Sequence, residues 1–510
     1  MSILNLIAAG PANSSAILSA GCLPLTFGAL SVQAEKVARF LNLHRIGRAD
    51  CVAMVLPNGP ELAAAFTGVA AAAVCAPLNP AYSASEFHFY LSDLRACALL
   101  TEAGFCPAAT RAAIDLGIPI LSLRCRDQAL AGVFELESSA PSGPAAHPGM
   151  AGKDDVALLL HSSGTTARPK LIPLTHHNLC TSARHIVECL RLTPSDRCLN
   201  IMPLFHVHGL IGAFLASMAA GASIWCTSGF NAHQFFRCLT EARPTWFTAV
   251  PSMHQAILCR MGARRQDSEP RLRFVRSSSA ALPVRTWKEL EARFECPAIE
   301  AYGMTEAAHQ ITSNPLPPAQ RQAGSVGTAT GTSVVILDEA GAVQPAGVRG
   351  EVAIRGESVT SGYCSPPEAN ATALHNGWLR TGDQGFIDGK GYVTLTGRLK
   401  EIINCGGEKI SPAEVDEVLS DHPSVATALA FGVECPMSGE RVYAAVVPRE
   451  GAAITEHELK EFASVRLARF KIPRRILILD EIPKGPTGKM QRIGMAQRLG
   501  VSVNGSSPDA

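Results

Sequence analysis

The sequence predicts an α/β fold: a large N-terminal part, a β-rich segment after it, and a small α+β C-terminal part. Three observations carry this. Apolar strand-like runs alternate with helix-like stretches through the first 300 residues, as in strands joined by crossover helices. From Val334 to Phe386 strand signals dominate. Beyond Lys400, Ser411-Pro412-Ala413-Glu414-Val415 opens a new helix with a serine cap and proline at its first position.

Taken in order, Ser31 to Leu43 reads as a helix and Cys51 to Leu56 as a buried strand. Leu62 to Leu78 is alanine-rich and free of charge, and it barely reaches the length a membrane span needs. Set between Glu61 and the turn-like Asn79-Pro80, it predicts a buried helix, so no membrane span is expected. Ala140 to Gly152, rich in Pro, Gly and Ala, reads as a surface linker. Val156 to Leu160 is a short apolar run that predicts a buried strand. Leu199 to Thr227, with His206, His208 and several glycines, predicts a strand, loop and helix around a pocket.

Composition bounds the function. At 510 residues and 47% hydrophobic content, the chain can bury a large core and should hold more than one domain. A net charge of +1 gives no electrostatic footprint for nucleic acid. The 16 cysteines include no C-x-x-C pair, so neither zinc nor a disulfide framework is indicated. The first basic residue is Lys36 and the chain ends Ser506-Ser507-Pro508-Asp509-Ala510, unlike an S-K-L tail. The cytoplasm is the expected compartment.

The chemistry starts where the strand Val156 to Leu160 ends. His161-Ser162-Ser163-Gly164-Thr165-Thr166-Ala167-Arg168-Pro169-Lys170 packs four hydroxyls, one glycine and two cations into ten positions. Hydroxyls and backbone N–H groups donate to a polyphosphate, glycine allows close approach, and the cations balance charge. The Walker A spacing is absent. A second block, Ala301-Tyr302-Gly303-Met304-Thr305-Glu306, offers an aromatic to stack on a purine, a hydroxyl for phosphate and a carboxylate for Mg²⁺. A third, Gly377 to Asp383, supplies Asp383 as an acceptor for ribose hydroxyls. Gly397 to Ile403, Asn404 to Ile410 and Pro483 to Arg492 complete the series.

The order S-S-G-T-T-x-x-P-K, with these blocks following in sequence, resembles the adenylate-forming superfamily of acyl-CoA synthetases, luciferases and peptide-synthetase adenylation domains. The resemblance implies the adenylate-forming enzyme fold: a large N-terminal domain of α/β sheets with a β-rich subdomain (1–399) and a small mobile α+β domain (400–510) rotating about a hinge at Lys400. It implies that Ser162, Ser163, Gly164, Thr165, Thr166 and Lys170 hold the ATP phosphates. Tyr302, Gly303 and Met304 meet the nucleotide, Thr305 the α-phosphate and Glu306 the magnesium. Asp383 and Arg398 hold the ribose. Gly406 and Gly407 face coenzyme A, and Lys489 bridges the carboxylate and the α-phosphate. The implied substrates are a small carboxylic acid, ATP and CoA, with Mg²⁺ as cofactor.

Polar residues mark the expected acid pocket. Met202 to Leu210 carries His206 and His208, Arg276 to Leu282 carries Ser279, and Ala307 to Leu316 carries His309. Hydroxyls and imidazoles are poor lining for an alkyl chain and suit a small acid with a second polar group. His208, Ser279 and His309 are the expected donors, and a protonated histidine would add charge. These runs are similar to oxalate–CoA ligases, which implies oxalate. Other small or aryl acids, and an amine or carrier protein as acceptor, stay open. Two departures stand out. Leu171 replaces the family's usual glycine after Pro-Lys, which predicts a less mobile phosphate loop. Cys405 replaces the usual arginine before Gly406-Gly407, which removes a cation from the CoA side.

Overall fold

The computed structural model describes residues 1–125, 130–139, 141–162, 169–260, 270–405, 408–435, 438–484 and 490–501. The chain divides into two compact units. One takes Met1–Ser162, 169–334 and Ile354–Leu379, and the other is built mainly of Val335–Ala353 and the chain from Arg380 onward.

The first unit contains two large sheets. A seven-stranded sheet has Cys51–Val55 near its middle, parallel to Val74–Pro77 on one side and Ala98–Glu102 on the other. All five residues of Cys51–Val55 are buried, as an apolar run covered on both faces should be. Leu62 to Leu78 lies inside this unit as the helix Pro60–Ala70 and the strand Val74–Pro77, with every residue from Leu62 to Leu78 buried. Among the described residues, no helix is long and apolar enough to cross a membrane. The helix expected from Ser31 begins earlier, at Phe27, because the Thr26 hydroxyl accepts from Ala29 N–H and caps it there.

The segment read as a surface linker is mostly exposed and is pinned by backbone hydrogen bonds. Gly143 and Ala145 donate their N–H groups to Leu43 and Asn42, and Ala151 donates to Ala71. The carbonyls at a helix C-terminus lack intrahelical partners, and this segment satisfies two of them.

A nine-stranded sheet carries Arg197–Asn200, Trp246–Ala249, Phe274–Ser277 and Ala298–Met304 as parallel neighbours. One face packs on a core that includes Phe247, Trp287, Leu290 and Phe294. Leu199 to Thr227 follows its prediction of strand, loop and helix, but the helix opens as a π-helix, His208–Leu215. Such wide turns are frequent at functional sites.

The second unit holds the strands that dominate the expected β-rich segment. Trp378–Ile387 pairs antiparallel with Val393–Arg398, in a register that sets Asp383 opposite Arg398. Its C-terminal portion is α+β, as predicted. The long hairpin Val425–Cys435 and Gly439–Pro448 packs on the helices Pro412–Ser420 and Glu456–Ser464 around Val415, Leu419, Ala444 and Leu459. Pro412 opens its helix as expected. The Ser411 hydroxyl, however, donates to the Thr396 carbonyl instead of capping the helix.

Candidate functional site

The polar cluster of the first unit is built at the ends of parallel strands, where open α/β sheets place their ligands. The register pairs Thr248 with Arg276 on adjacent strands. His309 opens the antiparallel strand His309–Ser313, paired with Met304. His208 comes from the first turn of the π-helix. Its Nδ1 lies 3.0 Å from Ser279 Oγ and its Nε2 lies 2.6 Å from Thr248 Oγ1. The His208 and His309 rings stack with centroids 5.0 Å apart and planes inclined by 19°. The three expected acid-pocket residues are thus one assembly. His208 and His309 are buried and Ser279 is half-exposed.

Backbone geometry holds this assembly in place. Ser279, Ala308 and His309 all have positive φ, at 74°, 50° and 99°. Such angles cost energy in non-glycine residues and persist where surrounding structure imposes them. Two glycines make room. A Cβ on Gly303 would lie 1.5 Å from the His309 carbonyl oxygen, and one on Gly212 would lie 2.5 Å from His309 Nε2.

The cluster contains a cation to which the sequence reading assigned no role. Arg276 is fully buried. Its Nη2 donates to His309 Nε2 at 3.0 Å and to Gln310 Oε1 at 2.9 Å, and its Nη1 donates to Thr248 Oγ1 at 3.4 Å. Burial pushes its pKa down to about 10, so it remains charged at neutral pH. A guanidinium only donates, so His309 Nε2 accepts and that imidazole is neutral. A protonated histidine was the expected source of charge here; the buried cation beside His309 is Arg276. The sequence signal was a lone arginine between the apolar Phe274-Val275 and three serines.

The phosphate and metal candidates lie elsewhere in the same unit. Ser162 and Lys170 close the mouth of the loop. Ser162 N–H donates to the Lys170 carbonyl at 2.7 Å, and Lys170 N–H donates to Ser162 Oγ at 3.0 Å. Ser163, Gly164, Thr165 and Thr166 lie outside the described residues. His161, at the root of the loop, sits 3.0 Å from Asp93, and burial still lowers its pKa. Leu171, in the place of the expected glycine, is buried in the core of the seven-stranded sheet, and its N–H donates to the Ser365 carbonyl. Its side chain has a packing role that glycine could not fill.

Ala298–Met304 delivers Tyr302, Gly303 and Met304, and the 3-10 turn Thr305–Ala307 follows. Glu306 is buried while Thr305 is half-exposed. Tyr363 Oη donates to Glu306 Oε1 at 2.9 Å, and burial together with that carboxylate raises the tyrosine pKa, keeping it protonated. Lys170 Nζ lies 4.3 Å from the centroid of the Tyr363 ring. Sequence reasoning missed Tyr363, which stands 57 residues from its partner. Among the described residues, no three His, Cys, Asp or Glu side chains converge as a metal cage. One carboxylate beside a hydroxyl residue fits Mg²⁺, which takes one or two carboxylates and completes its shell with substrate phosphates and water.

In the second unit, Arg398 Nε lies 3.0 Å from Asp383 Oδ1, with the aspartate buried and the arginine exposed. Gly382, at φ 74°, presents its N–H to Glu351 Oε1. Lys400 is exposed on the 3-10 turn Leu399–Glu401. Cys405 ends the short strand Ile403–Cys405, while Gly406, Gly407 and Lys489 lie outside the described residues. Three residues after Lys489, Arg492 is held between Glu401 and Asp416 and donates to the Ala430 carbonyl.

Comparison with known proteins shows the family. The AMP-binding enzyme profile matches residues 8–364, and the AMP-binding enzyme C-terminal domain profile matches 414–489. The oxalate–CoA ligase of Arabidopsis thaliana is 43% identical over 489 residues, covering 95% of each chain. The sulfoacetate–CoA ligase of Cupriavidus necator is 35% identical, covering 92% of this chain and 91% of its own. Among solved structures, ATP-bound MatB from Rhodopseudomonas palustris superposes with a TM-score of 0.86 at 27% identity, covering 98% of this chain and 99% of its own. The chain belongs to the AMP-binding enzymes of the adenylate-forming superfamily and is an AMP-forming acyl-CoA synthetase, an acid–thiol ligase.

Proposed function

We propose that this ligase activates oxalate. The observation that carries the reading is the packing of His208, Ser279 and His309 around the buried Arg276. A second carboxylate is costly to bury unless it is paired and hydrogen-bonded. Donors backed by a cation lower that cost for an acid with two anionic groups and gain nothing from an alkyl chain.

In the first half-reaction a carboxylate oxygen attacks the α-phosphorus of ATP, forming an acyl-adenylate and releasing pyrophosphate. Two anions must approach each other. Lys489 offsets their repulsion, and loss of one such preorganised contact typically costs about 10²–10³ in rate. Glu306 and Thr305 are the residues that would hold Mg²⁺ and the phosphates, where the ion would neutralise charge on the leaving pyrophosphate. Ser162 to Lys170 cradles the phosphates, Tyr302 stacks on the adenine, and Asp383 with Arg398 holds the ribose. In the second half-reaction the CoA sulfur attacks the acyl carbon and AMP leaves. We assign Lys400 as the hinge on which residues 400–510 turn, withdrawing Lys489 and presenting Gly406-Gly407 to CoA. The sixteen cysteines carry no disulfide, as suits a reducing compartment such as the cytoplasm.

The test is pyrophosphate release with ATP and Mg²⁺ across oxalate, sulfoacetate, malonate, acetate, a medium-chain fatty acid and benzoate, each with and without CoA. CoA-dependent turnover strongest with oxalate is the expected result. Preference for another acid overturns the substrate. Turnover that CoA does not increase points to a different acceptor and to Cys405.

A further inference from the structure

Arg276 has an unusual set of partners. It is fully buried, and among the described residues no carboxylate pairs with it. Its three partners are a threonine hydroxyl, an imidazole nitrogen and an amide oxygen, and its Nε has no partner among the described residues. Burying a charge without a counter-ion is expensive. Removing it from a core would ordinarily stabilise the protein, so its presence points to a functional role.

The hydrogen bonds have one consistent direction. Arg276 can only donate, so His309 Nε2 accepts and its proton is on Nδ1. Thr248 is also fully buried, and its hydroxyl has two partners, Arg276 Nη1 and His208 Nε2. The arginine cannot accept, so the Thr248 proton goes to His208 Nε2; otherwise a buried hydroxyl would be left unsatisfied. His208 then carries its proton on Nδ1 and donates it to Ser279 Oγ. Ser279, half-exposed, is left with a hydroxyl proton for a ligand. Hydrogen bonds arranged head to tail in this way polarise one another.

We propose that Arg276 is the positioning residue that sets acid specificity: it fixes both histidines as neutral Nδ1–H tautomers and, through Thr248 and His208, turns Ser279 Oγ–H into a donor for a second anionic group on the substrate. Gln310 acts beside it. Its Nε2 donates to Thr330 Oγ1 and Cys189 Sγ, which turns its Oε1 toward the guanidinium. The inference rests on the acid-pocket reading above but does not depend on oxalate itself, because any acid with a second anionic group meets the same donor.

The experiment compares wild type with Arg276→Met, Arg276→Lys and Thr248→Val, measuring kcat and KM for oxalate, sulfoacetate and acetate under saturating ATP and CoA. Arg276→Met should lower kcat/KM for the preferred doubly anionic acid about 10²-fold, mostly through KM, and leave acetate within a few-fold. Arg276→Lys keeps the charge but loses the fork geometry, and it should recover only part of the loss. Thr248→Val keeps shape and removes only the relay to His208, so it serves if the arginine variants fail to fold; its expected loss is about 10-fold. Equal losses on all acids, or unchanged preference in Thr248→Val, overturn the proposal. A wild type that prefers sulfoacetate overturns oxalate while Arg276 is tested on sulfoacetate. A wild type that prefers acetate overturns both.

Discussion

The Tyr363 hydroxyl donates to Glu306 at 2.9 Å. The tyrosine thereby aims the one carboxylate that the metal motif provides, and its ring lies against the Lys170 ammonium. Residues from the phosphate loop, the metal motif and a distant segment thus form one contact chain within the first unit. A group that orients a metal-binding carboxylate typically matters 10–100-fold. Tyr363→Phe should raise the Mg²⁺ concentration needed for half-maximal pyrophosphate release about 10-fold. An unchanged Mg²⁺ titration would remove Tyr363 from this role.

Lys489→Ala separates the two half-reactions. Adenylation should fall at least about 10²-fold. Thioester formation from supplied acyl-adenylate and CoA should stay near wild type, because the proposed mechanism withdraws the lysine in that step. Equal loss in both assays would contradict the assignment.

His309 and Gly212 test the same contact from two sides. His309→Ala should hurt oxalate far more than acetate, by roughly 10²-fold in kcat/KM, since a buried donor is lost. Gly212→Ala should show the same selectivity more weakly, because its Cβ would lie 2.7 Å from His309 Cδ2 and force the ring to move. Indifference to the acid in both variants would place His309 outside the pocket.

Stability should fall in mild acid for a defined reason. Burial holds the pKa of His176 and of His254 down at about 4, against about 6.5 in an unfolded chain. Between those values the unfolded state binds more protons than the native state, so stability rises with pH. The contribution is complete above about pH 6.5 and is lost as pH falls toward 4, at about 1.4 kcal/mol per pH unit for each histidine. Three of the four tryptophans, Trp225, Trp246 and Trp287, lie in the first unit away from the strand Trp378–Ile387, so the fluorescence reports mainly the unfolding of the first unit. The urea midpoint should drop between pH 7 and 5, and His254→Gln should flatten that dependence. An equal slope in the variant would show that His254 is not the cause.

Much of the fold was legible because the apolar runs are local signals. Cys51 to Leu56 and Leu62 to Leu78 are buried as their composition requires. Element starts were less legible. The helix ending at Leu43 begins at Phe27 because the Thr26 side chain caps it there, while the Ser411 hydroxyl is drawn away to Thr396. The linker lies mostly at the surface as read, but its anchors were not legible because they are backbone N–H groups, and any sequence carries those.

By itself the sequence determined the class of chemistry. The blocks that carry the family resemblance are runs of residues only a few positions apart, so their order along the chain is enough to mark the family. It also marked His208, Ser279 and His309 as polar residues in an acid pocket. Only the tertiary structure decided how those groups are polarised. Thr248, Arg276 and His309 belong to three different strands, and strand register rather than sequence distance sets Thr248 beside Arg276 and His309 within its reach. Which nitrogen carries a proton depends on which neighbour can only donate, and that neighbour was unknown until the strands were paired.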